Sequence, residues 1–230
     1  MKILALESSA ISAGAAVIDG EKLVAESFVN AGLTHSVTLL PLVRSCFDNA
    51  GLSVDDIDRF AVSAGPGSFT GVRIGVATLK GLAFSSDKPC VAVSTLEALA
   101  YNLLGFGCTA LAVMDARCSQ VYAAAFDCAD KITRLCEDRA VMISDLPELI
   151  KNSKNDIVLL GDGAQLCYNE LKYVSERIRL APSNLRFQRA SSVARAADEG
   201  AGAVCSAAEL KPVYLRLPQA ERELKRWQNA

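Results

Sequence analysis

Two carboxylates end strand-like segments of this 230-residue sequence at corresponding points. Glu7 ends the first strand of the N-terminal half and is followed by Ser8 and Ser9, and Asp115 ends the first strand of the C-terminal half. If the two halves close on each other, both carboxylates could hold Mg²⁺ and with it a nucleoside triphosphate. The first turn lacks the glycine that lets a backbone approach phosphate closely. The competing interpretation is therefore a structural remnant whose carboxylates are satisfied by the protein.

His35 is the only histidine in the chain, which limits the metal chemistry available. Zinc sites usually require two or more imidazoles at helical spacing. No G-x-S-x-G motif surrounds Ser8, Ser9 or Ser68, so a nucleophilic serine is not indicated either. We expect His35 to begin a helix or to contact a partner, and we expect no bound metal and no catalytic residue.

The glycine-rich segment 65–81, GPGSFTGVRIGVATLKG, is the most informative part of the sequence. Its pattern is helical, although each glycine costs a helix interior about 1 kcal/mol relative to alanine. Gly67, Gly71 and Gly75 recur at every fourth residue and share one helix face, where another backbone could approach closely. A dinucleotide-binding loop is disfavoured because Pro66 has no N–H for a pyrophosphate, and because three strands and a helix precede the loop.

Two helices with almost no polar face indicate a protein-binding surface. The predicted helices 36–50 and 69–84 carry only two charged residues each. Such helices are buried on more than one side, here by the sheet and by another protein, unless the second half of the chain covers them. We expect them to lie side by side, with the glycine row allowing a close crossing. The predicted contact residues are His35, Leu39, Leu40, Val43, Phe47, Phe69, Gly71, Val72, Arg73, Gly75, Val76, Leu79 and Lys80.

The predicted elements follow the order βββαβαβα twice. Residues 1–104 would form one α/β domain and residues 105–209 a second, with the boundary at 105–107. The tail 210–230, with a polar helix reaching Trp227, would fold back over one of them. Two such units in succession resemble the duplicated ribonuclease-H-like fold of the actin-like ATPase and sugar-kinase superfamily, in which a nucleotide lies between the halves.

The composition favours a globular protein with a well-filled core that works in the reducing environment of the cytoplasm. The chain is 51% hydrophobic with a net charge of −2, and no run of Lys and Arg indicates a nucleic acid or a membrane as its partner. The eight cysteines form no C-x-x-C pair, and several lie in apolar runs, which favours free thiols. The start of the chain lacks the pattern of a signal peptide, and no apolar stretch reaches transmembrane length.

Seven short motifs carry a resemblance to a known family. They are THS at 34–36, LLP at 39–41, GPGSFTGVRIG at 65–75, KGLA at 80–83, STLEALA at 94–100, DAR at 115–117 and YLR at 214–216. Together they resemble the TsaB (YeaZ) family of tRNA threonylcarbamoyladenosine biosynthesis proteins over almost the full length. The block 65–81 is highly specific, whereas the short C-terminal motifs are weak alone. One departure is Val37, where the family often has glutamate.

The resemblance implies a non-catalytic, actin-like protein that pairs with a TsaD-type threonylcarbamoyl transferase and a TsaE-type ATPase. Together these proteins modify the adenosine beside the anticodon of certain tRNAs. The catalytic relative carries a paired-histidine metal site on the helix corresponding to 36–50, where this chain has one histidine. The chain would meet tRNA only through the complex, need no cofactor, and form a homodimer when alone. The alternative is an actin-like phosphotransferase that uses Glu7 and Asp115 around a metal-bound nucleotide.

Overall fold

The computed structural model describes residues 1–84 and 86–216, which build two mixed β-sheets with helices on their faces. The strands are β1 (Lys2–Glu7), β2 (Ala13–Asp19), β3 (Lys22–Val29), β4 (Arg59–Gly65), β5 (Cys90–Ser94), β6 (Thr109–Asp115), β7 (Gln120–Cys128), β8 (Ile132–Arg134), β9 (Arg139–Met142), β10 (Ile157–Leu160), β11 (Ile178–Leu180) and β12 (Ala203–Cys205). The helices are α1 (His35–Ala50), α2 (Phe69–Phe84), α3 (Thr95–Ala100), α4 (Leu146–Ile150), α5 (Ala164–Leu171), α6 (Ser183–Arg186) and α7 (Ala190–Asp198). None of the described helices is both long and apolar enough to cross a membrane.

The first sheet has the strand order β12-β5-β4-β1-β2-β3, and β1 pairs parallel with β4 and antiparallel with β2. Successive residues of a strand point to opposite faces, so each strand of the sheet serves two cores. Leu4 and Leu6 of β1 pack beneath α1 and α2, whereas Ile3 and Ala5 pack against α3 and α7. Gly51 ends α1 in the left-handed conformation, which glycine adopts more easily than other residues at the end of a helix.

The second sheet repeats this arrangement with the order β11-β10-β6-β7-β8, and β9 pairs with the other end of β7. Its outer face is covered by α4 and α5, and α3 packs against the inner face. In both sheets the first strand lies between an antiparallel second strand and a parallel later strand, which is β4 in the first sheet and β10 in the second. The duplicated, actin-like α/β fold predicted from the element order is therefore confirmed.

The chain returns to the first sheet after the second sheet is complete. The pattern predicts α7 as the last helix of the second half, but α7 packs on β1 and β2 of the first sheet. Ala190 at its start lies against Gly14, and Val193 and Ala197 fill the core there. The strand β12, which the sequence did not indicate, pairs with β5. The prediction divides the chain into residues 1–104 and 105–209. In the structure α7 and β12, which fall in the second of these ranges, pack with the first sheet.

Candidate functional site

The glycine row of α2 packs on the turn that follows β1. A Cβ on Gly67 would lie closer than 3.0 Å to the Ser9 carbonyl oxygen, and one on Gly71 equally close to the Ser8 carbonyl oxygen, a separation that real Cβ atoms essentially never show. The Ser68 amide also donates to the Ser9 carbonyl at 2.7 Å. The expected close approach by a backbone is confirmed. That backbone belongs to the chain's own turn rather than to helix α1, where the sequence placed the close crossing.

Glu7 is fully buried and bonded to the protein through both carboxylate oxygens. Oε1 accepts from the Ser9 amide at 2.6 Å and from Ser9 Oγ at 2.5 Å, and Oε2 accepts from Ser63 Oγ. Burial raises the pKa of Glu7, and these hydrogen bonds oppose the rise. Ser8 Oγ donates to the carbonyl of Gly71 at 2.9 Å, so Ser8 is also engaged in the interior. Neither side chain is free to meet a metal or a phosphate.

A cleft of about 440 Å³ lies between the two halves, at the place where the sequence pattern predicts a possible nucleotide site. Of the residues predicted for a nucleotide, the structure brings Ser9 and Asp115 to this cleft and leaves Glu7 and Ser8 outside it. Asp115 Oδ1 accepts from the Arg117 amide at 2.7 Å. Within residues 1–84 and 86–216, no three His, Cys, Asp or Glu side chains are grouped so that they could hold a metal ion.

Asp162 is an acidic residue of the cleft that the sequence reasoning missed. Burial raises the pKa of Asp162 to about 6, with smaller contributions from the charges of Asp115 and Glu7, while a hydrogen bond from Gln188 at 3.1 Å opposes the rise. The available signal was the sequence Gly-Asp-Gly between β10 and α5. It corresponds in the second half to the glycine-rich loop between β4 and α2.

The C-terminal segment 210–216 runs from α2 to the cleft, which agrees with the predicted folding back of the tail. The Val213 amide donates to the Ala64 carbonyl at 2.7 Å, and the Tyr214 ring stacks on Phe69 with centroids 4.8 Å apart. Arg216 donates to the Ala116 carbonyl in the second half at 2.9 Å. The segment therefore contacts both halves. The predicted helix that reaches Trp227 lies outside the described residues.

Three residues predicted to contact a partner hold this segment instead. Arg73 Nε donates to the Tyr214 hydroxyl at 2.8 Å, and its guanidinium lies 3.7 Å from the centre of the Phe69 ring. Lys80 Nζ donates to the carbonyls of Ala208 and Leu210 at 3.1 and 3.3 Å. The two charged side chains of α2 thus form hydrogen bonds within the chain itself.

Five further predicted contact residues are part of the chain's own core. They are Leu39, Val43, Val72, Val76 and Leu79. Each is less than 5% exposed because it points from α1 or α2 onto the first sheet. Because α1 and α2 are apolar on nearly all sides, their sequences do not show which side chains face the sheet and which face outward. Of these five side chains only Val43 also borders the surface groove described below, and Gly71 and Gly75 are covered by the turn at Ser8.

His35 anchors the start of α1 to the turn after β1. Its Nε2 lies 2.6 Å from the Ala10 carbonyl oxygen, to which it donates, and its Cδ2 lies near the face of Gly71. The predicted position at a helix start is confirmed. The ring is oriented toward the protein's own backbone.

An open groove lies between α1 and α2. Its volume is about 840 Å³, and its walls are mostly apolar. It is lined by Leu40, Pro41, Val43, Arg44, Ser45, Phe47, Asp48, Asn49, Val54 and Leu82. Leu40 in its wall is 54% exposed, and Val37, one helical turn earlier on α1, is 71% exposed. Leu40 and Phe47 are thus predicted contact residues that do reach the surface.

Comparison with known proteins identifies the family. The sequence model of the family described as TsaD, tRNA N6-adenosine threonylcarbamoyltransferase, matches residues 29–223. A Bacillus subtilis relative, tRNA threonylcarbamoyladenosine biosynthesis protein TsaB, is 35% identical over 72% of this chain and 73% of its own length. The chain belongs to the TsaB family. A tRNA N6-adenosine threonylcarbamoyltransferase from Novosphingobium aromaticivorans is 34% identical, but the match covers only 41% of this chain and 33% of the transferase.

The likeness to the TsaB family extends over the whole fold. A crystal structure described as an uncharacterized protein with similarity to peptidase YEAZ from Pseudomonas aeruginosa is 28% identical to this chain, with a TM-score of 0.76. The match covers 94% of this chain and 99% of the Pseudomonas chain. The resemblance to the TsaB (YeaZ) family, seen first in the motifs, is thereby confirmed.

Proposed function

We propose that this chain is a non-catalytic subunit of tRNA threonylcarbamoyladenosine synthesis that docks a TsaD-type transferase and supports its active geometry. A TsaE-type ATPase completes the set, tRNA is reached only through the complex, and the complex works in the cytoplasm. The observation that carries the proposal is the apolar groove between α1 and α2, in which Leu40 is exposed and from which Val37 lies one turn away along α1. Isolated chains would pair through the same surface.

The surroundings of Glu7, a candidate nucleotide-binding residue, and of His35 support a role without chemistry. Glu7 is buried and bonded to Ser9 and Ser63, so it would have to break those bonds to reach a metal. His35, the only imidazole, donates to a backbone carbonyl. A transferase, by contrast, depends on the placement of its reacting groups, and a displacement of about 1 Å can cost about 100-fold in rate. Docking could supply that placement.

The alternative function is a nucleotide-dependent phosphotransferase that works in the cleft. Asp115 and Asp162 line the cleft, and they are the carboxylates that such an enzyme would use. It is disfavoured because Glu7, the other predicted carboxylate, lies outside the cleft. An Asp115→Ala variant separates the two functions, since the docking role does not use this side chain.

The test is a reconstitution of the transferase, the ATPase and this chain, with threonylcarbamoyladenosine in the tRNA measured by mass spectrometry of nucleosides. We expect little product without this chain and full product with either the wild type or Asp115→Ala. Leu40→Glu and Val37→Glu should lose both binding to the transferase and the stimulation. Tyr173→Glu is the matched control, because Tyr173 is 84% exposed on the second half and far from the groove in sequence.

Other outcomes would overturn the proposal. If Asp115→Ala binds the transferase but gives no product, the cleft performs chemistry. If Leu40→Glu and Val37→Glu both bind normally, the groove is not the docking surface. Charges at Val72 or Val76 would not be informative, since both residues are core residues and their substitution would unfold the chain.

A further inference from the structure

Cys90 and Cys205 face each other on neighbouring antiparallel strands. The register of β5 and β12 pairs Cys205 directly with Cys90. Cys90 is wholly buried in the core beneath α2, and Cys205 is half-buried against the same core, so both side chains lie on one face of the sheet. Directly opposed residues of antiparallel strands have Cα atoms about 4.5–5.5 Å apart. That separation lies within the range of about 4.4–6.8 Å that a disulfide spans.

We propose that Cys90 and Cys205 are a reversible disulfide site, formed by exchange with a low-molecular-weight disulfide such as oxidised glutathione. Neither cysteine is part of a disulfide in this structure. The bond would link β12 covalently to the first sheet. The chain continues from β12 through Ala208 and Leu210, which Lys80 holds, into the segment that reaches the cleft. The disulfide would therefore fix the base of the C-terminal segment.

The exchange proceeds in two balanced steps. The thiolate of Cys205, the more accessible of the two, attacks one sulfur of oxidised glutathione, and one glutathione thiolate leaves. The thiolate of Cys90 then attacks the Cys205 sulfur of the mixed disulfide and releases the second glutathione. Two protein thiols are oxidised, one glutathione disulfide is reduced, and the two thiol protons pass to the two glutathione molecules.

The electrostatic surroundings make this exchange slow at neutral pH. Burial raises the pKa of Cys90 to about 11, and it also raises the pKa of Cys205. Lys80 of α2 lowers both values, whereas Glu209 raises that of Cys205 further. The thiolate is the nucleophile, so mildly alkaline buffer should accelerate the reaction.

Other cysteines provide internal controls. Cys108 and Cys128 form a second cross-strand pair, in which the Cys128 amide donates to the Cys108 carbonyl at 2.9 Å. Both of these residues are buried, so a dissolved disulfide has no exposed sulfur to react with. Cys118 is exposed, but it lies on the turn between β6 and β7, away from β5 and β12. Cys136 is part-buried like Cys205, but its Sγ accepts from the Ala125 amide at 3.2 Å, and none of the described strand pairings places a cysteine opposite it. A disulfide that joins Cys90 and Cys205 is thus a specific expectation.

The test treats the folded full chain carrying Cys118→Ser with oxidised glutathione at mildly alkaline pH, blocks the remaining thiols by alkylation, and identifies linked peptides by mass spectrometry. We expect the loss of two free thiols and one peptide pair joining residues 90 and 205. This link should be absent from Cys205→Ser and present in Cys128→Ser. Hydrogen exchange at Val204 should become slower on oxidation in the parent protein and not in Cys90→Ser.

Three results would overturn the proposal. One is a glutathione adduct that persists on Cys205 while Cys90 stays a free thiol, because the two sulfurs would then be unable to meet. Another is a link that joins a different pair, such as Cys108 and Cys128. An unreactive folded protein whose unfolded form oxidises readily would likewise exclude the site in the native fold.

Discussion

Replacing Gly71 by alanine should destabilise the protein, whereas the same replacement at Gly81 in the same helix should not. A Cβ at position 71 would lie closer than 3.0 Å to the Ser8 carbonyl oxygen. A backbone oxygen cannot rotate away, so the turn after β1 and α2 would have to move apart. That movement would also break the hydrogen bond from Ser8 Oγ to the Gly71 carbonyl. At Gly81, a Cβ would meet no atom within 4 Å.

The magnitudes follow from three contributions. Overpacking of a tight site costs about 3 kcal/mol at the upper end of its range, which is appropriate for contact with backbone. The lost hydrogen bond costs about 1 kcal/mol. Alanine recovers about 1 kcal/mol of helix propensity, so Gly71→Ala should lower the free energy of unfolding by about 3 kcal/mol. Gly81→Ala, with the propensity gain alone, should raise it by up to about 1 kcal/mol.

Thermal unfolding followed by circular dichroism measures both variants. In a chain of this length, 1 kcal/mol corresponds to about 2–4 °C in the midpoint. The midpoint of Gly71→Ala should therefore fall by about 6–12 °C, and that of Gly81→Ala should rise by about 2–4 °C. If Gly71→Ala unfolded at the wild-type temperature, the approach of α2 to the Ser8 turn would not be the reason for glycine at this position. An equal loss in both variants would refute the argument as well.

Three further substitutions test other contacts. Tyr214→Ala removes the ring stacked on Phe69 and should cost about 1 kcal/mol, seen as a lower unfolding midpoint, while Tyr173→Ala, at an exposed ring, should cost nothing measurable. Ser63→Ala removes a donor to the buried Glu7 carboxylate and should cost about 2 kcal/mol by urea unfolding. The pKa of Asp162 is raised from 3.8 to about 6 in the folded protein, so the unfolded chain releases this proton first as the pH rises. The free energy of unfolding of the wild type should therefore fall by up to about 3 kcal/mol as the pH rises from about 4 to 6. Asp162→Asn should lack this loss, and a parallel pH profile for both proteins would contradict the raised pKa.

The sequence predicted the order of the elements well because their patterns are local. Strand alternation and the Gly51 stop define β1 and α1 without reference to the rest of the chain. The packing partner of a helix depends on distant residues, which no local pattern encodes. The apolar face of α7 could pack on either sheet. Its place on the first sheet, with Ala190 against Gly14, depends on the tertiary structure and is not visible in the local sequence. The three-residue strand β12 is too short to be recognised.

The candidate site was predicted in part for the same reason. Fourfold spacing of glycine correctly indicated a close backbone approach, but spacing alone does not identify the approaching backbone. The acidic and serine residues after β1 resemble a ligand turn in type, yet Glu7 is bonded to Ser63, a residue of another strand that the pattern does not connect to it. Asp162 was missed because one acidic residue between two glycines is a weak signal until its loop is known to face the cleft.

The helix α2 divides its surface among three neighbours, and this division determines what a docking protein can touch. Its glycine row packs on the Ser8 turn, and Val72, Val76 and Leu79 fill the core. Its outward charges, Arg73 and Lys80, hold the C-terminal segment. The apolar surface left for a partner consists of the α1 side of the groove and of Phe84, which is 78% exposed at the end of α2. A protein that docked along the full length of α2 would also contact the C-terminal segment, so docking and the attachment of that segment would be coupled.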